Sequence, residues 1–280
     1  MNYKSICLLA LTVALGRTPM TTCHADDLAE KGRDIFQKYQ SAVVTVQLVV
    51  KSKMSMAGLG GQDNEAKQDV TGTVVDPSGL TVLSLSATDP DSMLQDLMAG
   101  LSEKLDEAKF KVESELTDVK ILLADGTEVP AEVVLRDKDL DLAFIRPKTK
   151  LSAPMKAVDL SQSARVQVLD QVITLNRLGQ VASRAYAASV ERISAVVQKP
   201  RTFYIPDSSM TSTTVGSPAF SLDGKVVGIF VMRSIKSSRG GAGLAAMFSS
   251  RPDNFITILI PAEDVLKGAR QAPQAKEEKK

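Results

Sequence analysis

Gly72-Thr73-Val74-Val75-Asp76-Pro77-Ser78-Gly79-Leu80-Thr81-Val82-Leu83-Ser84-Leu85-Ser86-Ala87 is the stretch on which the fold turns. It opens on a β-branched run, Gly72–Asp76, and breaks at a turn signal, Asp76-Pro77-Ser78-Gly79. The same rhythm runs outward in both directions. Upstream lies the long β-branched run Ala42–Val50. Downstream come Val119–Leu123, Val129–Leu135, Leu142–Ile145, Val166–Leu175, Val190–Val197, Val226–Val231 and Phe255–Ile260, with further turns at Asp125-Gly126 and Asp223-Gly224. Many short strands joined by tight turns predict a β-barrel or sandwich, not an α/β sheet.

Two segments depart from this rhythm. Met54–Gln68 has no clear period and reads as a long mobile loop. Pro90–Val112 carries Leu94, Leu97, Leu101, Leu105, Ala108 and Val112 at spacings of three and four, the pattern of an amphipathic helix packed on the barrel. Two shorter helices are expected, one over Asp27–Gln40 and one starting at Pro261, with a polar tail from 269 to 280 left disordered.

The 280 residues suffice for one large all-β domain, and 44% hydrophobic with 24% charged residues is ordinary for a folded chain. A formal net charge of +1 supplies no field to attract nucleic acid. At the N-terminus Lys4, the apolar run Ile6–Leu15 and the small residue in Cys23-His24-Ala25 form a secretory signal, with cleavage expected after Ala25. The run is too short to anchor the chain in a bilayer, so no membrane span remains after signal removal. Cys7, Cys23 and His24 are the only cysteines and histidine. The mature chain, 26–280, would then hold no disulfide, no thiolate or imidazole metal site and no histidine base, and no metal or cofactor is expected.

Three blocks, in order, resemble the HtrA-type protease domain of the trypsin-like serine proteases. The first is Gly72–Ala87; the second runs from Val119 to Val134 and on through Asp137-Lys138-Asp139-Leu140-Asp141-Leu142-Ala143-Phe144-Ile145. The third runs from Asp207 to Gly216-Ser217-Pro218 and the hairpin Leu222–Ile229. The resemblance implies an all-β fold of two packed six-stranded barrels over 26–268. The active site would lie in the cleft between the barrels.

At the positions that carry the family's chemistry this sequence differs. The family's histidine falls on Ser86 and its serine on Val215, with Thr213 and Thr214 in place of Gly-Asn before it. Asp141 alone of the triad is kept. Since hydrolysis by this route needs a hydroxyl, an imidazole and an orienting carboxylate together, an inactive homologue is expected. Its former oxyanion loop, Thr213-Thr214-Val215-Gly216, would line a cleft for a peptide or protein partner. Ser86, Asp141 and Val215 should meet in that cleft. Two alternatives stand beside this reading: an active peptidase using Ser217 with a lysine base, and a structural protein of the cell envelope. Nothing in the sequence sets the oligomeric state.

Overall fold

The computed structural model describes residues 24–56, 60–88, 110–207, 214–234 and 255–273. Among them β1 (Val43–Met56), β2 (Gly60–Val74), β3 (Thr81–Ser84), β4 (Phe110–Leu122), β5 (Glu128–Asp137) and β6 (Leu142–Pro147) close into one antiparallel barrel in the order β1-β2-β3-β6-β5-β4. A second barrel, β10-β11-β12-β9-β8-β7, is built from β7 (Gln171–Arg177), β8 (Tyr186–Val197), β9 (Phe203–Pro206), β10 (Pro218–Ser221), β11 (Val226–Ser234) and β12 (Phe255–Pro261). The expected all-β double barrel is therefore the observed fold.

Strand alternation explains why two barrels share one core. Successive side chains of a strand point to opposite faces. Along β6, Ala143 and Ile145 fill the first barrel with Val46, Leu48 and Ile121, while Leu142 and Phe144 point outward into the seam. Every residue of β6 is buried, which is why Leu142–Ile145 reads as an unbroken apolar run. β7 does the same from the other side, with Val172 inside the second barrel and Ile173 and Leu175 in the seam. The seam cluster is the largest apolar core of the described residues.

Two helices seal it. α1 (His24–Tyr39) buries Ile35 and stacks the ring of Tyr39 on Phe220, centroids 4.6 Å apart and 15° from parallel. A third helix in chain order, α3 (Ala262–Gln271), buries Val265 and lays Gly268 on the ring of Phe144 so closely that a Cβ there would lie 2.9 Å from it. Both terminal helices thus match expectation. The tail starts later than expected: α3 continues through 269–271 and Ala272 is buried in the seam, with residues 274–280 outside the described part. No helix among the described residues is long and apolar enough to cross a membrane.

Of the loop expected over Met54–Gln68, Met54–Met56 and Gly60–Gln68 are strand, and 57–59 lie outside the described residues. β1 runs to Met56 and β2 starts at Gly60, the two in register from Val43↔Thr73 to Met56↔Gly60, and β4 pairs along the other edge of β1 as far as Met56↔Phe110. Gly60, Gly61, Asp63 and Asn64 of β2 are weak strand formers, but continuous pairing with β1, itself held by β4 on its other edge, outweighs that local preference. The same pairing takes Phe110–Val112 out of the helix expected over Pro90–Val112; the rest of that span, 90–109, lies outside the described residues. Val166–Val168 likewise precede β7, which opens at Gln171.

Candidate functional site

The chain enters the cleft at the end of β3. Ser84, its last residue, is buried, and a single helical turn, α2 (Leu85–Thr88), follows at once and carries Ser86. Gln68 of β2 holds that turn, its side-chain amide donating to the Ala87 carbonyl at 2.7 Å. Opposite lies the β5–β6 turn. The Asp137 carboxylate accepts the Leu140 N–H at 3.0 Å, and the chain then passes through Asp141 with φ +55°, a left-handed conformation that Asp tolerates better than most residues.

That conformation wraps Asp141 around residues 84–86. Its carbonyl accepts the Leu85 N–H at 2.8 Å, and Oδ1 accepts the Ser86 N–H at 3.0 Å. Oδ2 accepts the hydroxyl of Ser86 at 3.2 Å and that of Ser84; the two hydroxyls lie 2.8 Å apart. Burial pushes the Asp141 carboxyl above its ordinary 3.8, and this outweighs the opposing pull of the serine donors and of the Arg233 charge. Arg233, on β11, donates to the Asp139 carbonyl and so ties the second barrel to this turn.

A sign follows for stability against pH. The folded protein holds the Asp141 proton more tightly than the unfolded chain, so stability falls as pH rises from 3.8 through the raised folded value. Asp141→Asn is expected to abolish this component and to be at least as stable as the parent at neutral pH. Asn tolerates the same backbone, and its carbonyl oxygen keeps the Ser86 N–H satisfied. Asp141→Ala should instead lose about 2 kcal/mol, because the Ser86 N–H and buried Ser84 hydroxyl lose their acceptor. Urea titrations of the three proteins between pH 4 and 7 check both statements; a parent profile parallel to that of Asp141→Asn would refute the first.

The loop before β10 forms the other wall. Gly216 has φ +90° and sits where no side chain fits: a Cβ there would lie 2.0 Å from the Thr71 carbonyl oxygen and 3.7 Å from the Cα of Leu83. Its N–H donates to the Phe230 carbonyl at 2.7 Å, and its own carbonyl accepts the Thr73 hydroxyl at 2.8 Å. The loop is thereby clamped between β11 of one barrel and β2 and β3 of the other, beside the segment that carries Ser84 and Ser86. Val215 is 7% exposed and belongs to none of the three apolar clusters of the described residues. Thr214 is buried, and Thr213 lies outside the described residues. Ser217 has no exposed surface, and its N–H and carbonyl are bonded to Thr214 and Phe230.

Alternate residues of β2 cross the seam. Asp69 accepts from Arg184 at 2.7 Å, the Thr71 hydroxyl donates to the Arg177 carbonyl at 3.4 Å, and Thr73 reaches Gly216 as above. The period of two that fills a barrel on one face of β2 therefore joins the barrels on the other. Sequence reading brought Ser86, Asp141 and the 214–217 loop to one cleft, and the structure ties Ser86 to Asp141 directly. It missed Ser84, Arg233 and the Asp69–Arg184 pair. Ser84 lies within the first block two residues before Ser86 and could have been noticed; Arg233 has no local signal. A cavity of about 730 Å³ lined by Lys31, Arg165, Asp223 and Lys225 holds none of the candidate residues.

No curated protein matches the chain. Among solved structures it is similar to the crystal structure of the apo MamO protease domain from Magnetospirillum magneticum, at 15% identity and a TM-score of 0.48. That match covers 83% of this chain and 97% of the other. Residues 70–229 match the family model of the trypsin-like peptidase domain, a span from β2 to β11 that takes in Ser86, Asp141 and the 214–217 loop. Because that span is more than half of the chain, the protein belongs to the trypsin-like peptidase domain family.

Proposed function

We propose that this protein is a catalytically inactive member of its family whose inter-barrel cleft binds an extended segment of a peptide or protein partner. The observation that carries the reading is the state of Asp141. In an active triad this carboxylate orients an imidazole. Here its oxygens accept two serine hydroxyls and a backbone N–H from residues 84–86, so the carboxylate braces a turn. The position equivalent to the nucleophile is the alkyl side chain of Val215, which cannot attack a carbonyl.

The alternative nucleophile fares poorly. A Ser217 with no exposed surface cannot meet a substrate, and a lysine able to take its proton would itself have to be buried. No lysine is buried among the described residues. Loss of the base and nucleophile removes about a millionfold in rate, which leaves no useful peptide hydrolysis.

Binding needs less. β11 pairs with β12 through Ser234, but β10 pairs with it only as far as Ile229. Among the described strands none covers the other edge of Val231-Met232-Arg233, and an extended peptide could add there by backbone hydrogen bonds alone. The purified protein is expected to give no fluorophosphonate labelling and no casein hydrolysis. Labelling that Ser217→Ala abolishes would overturn the reading in favour of an active peptidase.

Export completes the proposal. The signal-like residues 1–25 support a mature chain starting at Asp26, to be checked by intact mass of protein from the cell envelope. A mass that retains any of Ile6–Leu15 refutes it.

A further inference from the structure

Beyond the first barrel, β1, β2 and β4 run on together as a three-stranded arm. β3 meets β2 only at Thr73 and Val74, and β5 meets β4 only from Lys120 to Leu122, whereas β1 pairs with β2 and β4 out to Met56. The two faces of this arm differ in chemistry. On one, the ladder sets Lys51 between Glu65 and Glu115, all three exposed, and Lys53 between Asp63 and Glu113. Lys51 lies 3.7 Å from Glu65. The other face continues the barrel interior past Val46 and Leu48, first through Val50 with Leu116, then through the register positions of Met54 with Val112 and Met56 with Phe110.

This apolar face is shielded at its near end. Val50 is 6% exposed, yet it belongs to none of the three apolar clusters of the described residues. Asn64 and Ala66, on the same face of the outer strand β2, are exposed, so the shielding runs along β1 and β4. The segment 89–109 has its ends at the two ends of this face. It leaves α2 at Thr88, where Leu85 packs with Val46 and Leu48 in the first barrel, and it rejoins the fold at Phe110, opposite Met56. Fully extended it would span about 70 Å, far more than the roughly 20 Å of strand from Val50 to Met56. Leu94, Leu97, Leu101, Leu105 and Ala108 share one narrow helical stripe, with Asp96, Glu103 and Glu107 on the opposite side. A helix rises about 21 Å from residue 94 to residue 108, which matches the face.

We infer that residues 91–108 dock as an amphipathic helix along the apolar face of the arm, the leucine stripe against β1 and β4. The arm is then a two-layer unit that runs out from the turn carrying Ser86, wet on its charged sheet face and on the acidic side of the helix. A second copy of the chain is the competing occupant, but it would leave this chain's own leucine stripe without an apolar surface to cover. Residues 26–280 contain no cysteine, so disulfides can be placed one pair at a time. In the mature protein Ser52→Cys, on the apolar face, is combined in turn with Leu97→Cys and with Leu101→Cys. Lys51→Cys with the same two partners tests the charged face, and Ser52→Cys with Glu103→Cys tests the acidic side of the helix.

After mild oxidation of dilute protein, at least one of the two Ser52→Cys stripe pairs is expected to close within a single chain, about fivefold or more above every control pair. Closure between two chains overturns the docking in favour of a second copy. Equal closure from Lys51→Cys or from Glu103→Cys, or none from either stripe pair, overturns it outright. Hydrogen exchange of the parent protein decides even if the variants fail to fold. Amides of 94–108 are expected to exchange at least about a hundredfold more slowly than in an unstructured peptide, and unprotected exchange there refutes the inference.

Discussion

Gly216→Ala is expected to destabilise the protein by about 4 kcal/mol, the largest effect of any single methyl added to the cleft. Two costs combine. An alanine at φ +90° is strained in its own backbone, and its Cβ would collide with the Thr71 carbonyl oxygen at 2.0 Å. Relief requires the loop to withdraw from the first barrel, which breaks the Thr73–Gly216 hydrogen bond. Gly126 provides the control. It has a similar φ of +85° but nothing within 4 Å of a built Cβ, so Gly126→Ala should cost only the backbone strain, about 1 kcal/mol. Denaturant titration of the pair separates strain from collision. Equal losses at the two sites would show that residue 216 is not wedged against β2.

The double substitution Ser86→His with Val215→Ser is expected to turn an unlabelled protein into one that reacts with fluorophosphonate, with a gain of about a hundredfold or more over the parent. A side chain at position 86 already reaches the Asp141 carboxylate, since the Ser86 hydroxyl is 3.2 Å from Oδ2. An imidazole there would find its orienting partner in place. Val215→Ser alone should remain unlabelled, because a hydroxyl without a base stays protonated near neutral pH. The gain is limited by two features of this chain. Thr213 and Thr214 stand where the resemblance places the family's more pliant Gly-Asn, and the buried Ser84 hydroxyl competes for Oδ2. Labelling of the double variant no faster than that of Val215→Ser would mean that residues 86 and 215 do not face one another across the cleft.

Much of this molecule can be read along the chain, because its signals are local. The turn Asp76-Pro77-Ser78-Gly79 closes on itself, with the Gly79 N–H donating to the Asp76 carbonyl at 2.9 Å, before Arg146 and Met155 add hydrogen bonds to it from elsewhere in the chain. Leu142–Ile145 announces a strand buried on both faces by its unbroken apolar run. Tyr39 and Val265 belong to amphipathic stretches whose apolar stripe is visible without a partner. The three ordered blocks then carry the family, and with it the expectation that residues 86, 141 and 215 share a cleft.

What the chain could not reveal depends on partners far away in sequence. Gly60–Gln68 is poor strand text and becomes strand because β1 offers it a backbone in register. Asp141 reads as a catalytic remnant, and only the fold brings Ser84, 57 residues away, onto its carboxylate. Arg177 is an ordinary strand-end arginine until burial in the seam strips it of water and leaves two of its nitrogens unpaired. Residue type and spacing determine most of the strands, turns and helices, because those are set by neighbours within a few positions; the far ends of β1, β2 and β4 are the exception, made strand by their pairing. Which polar groups are paired, and which are left unpaired, is decided only by tertiary packing, because hydrogen bonding and desolvation depend on atoms that the sequence places anywhere.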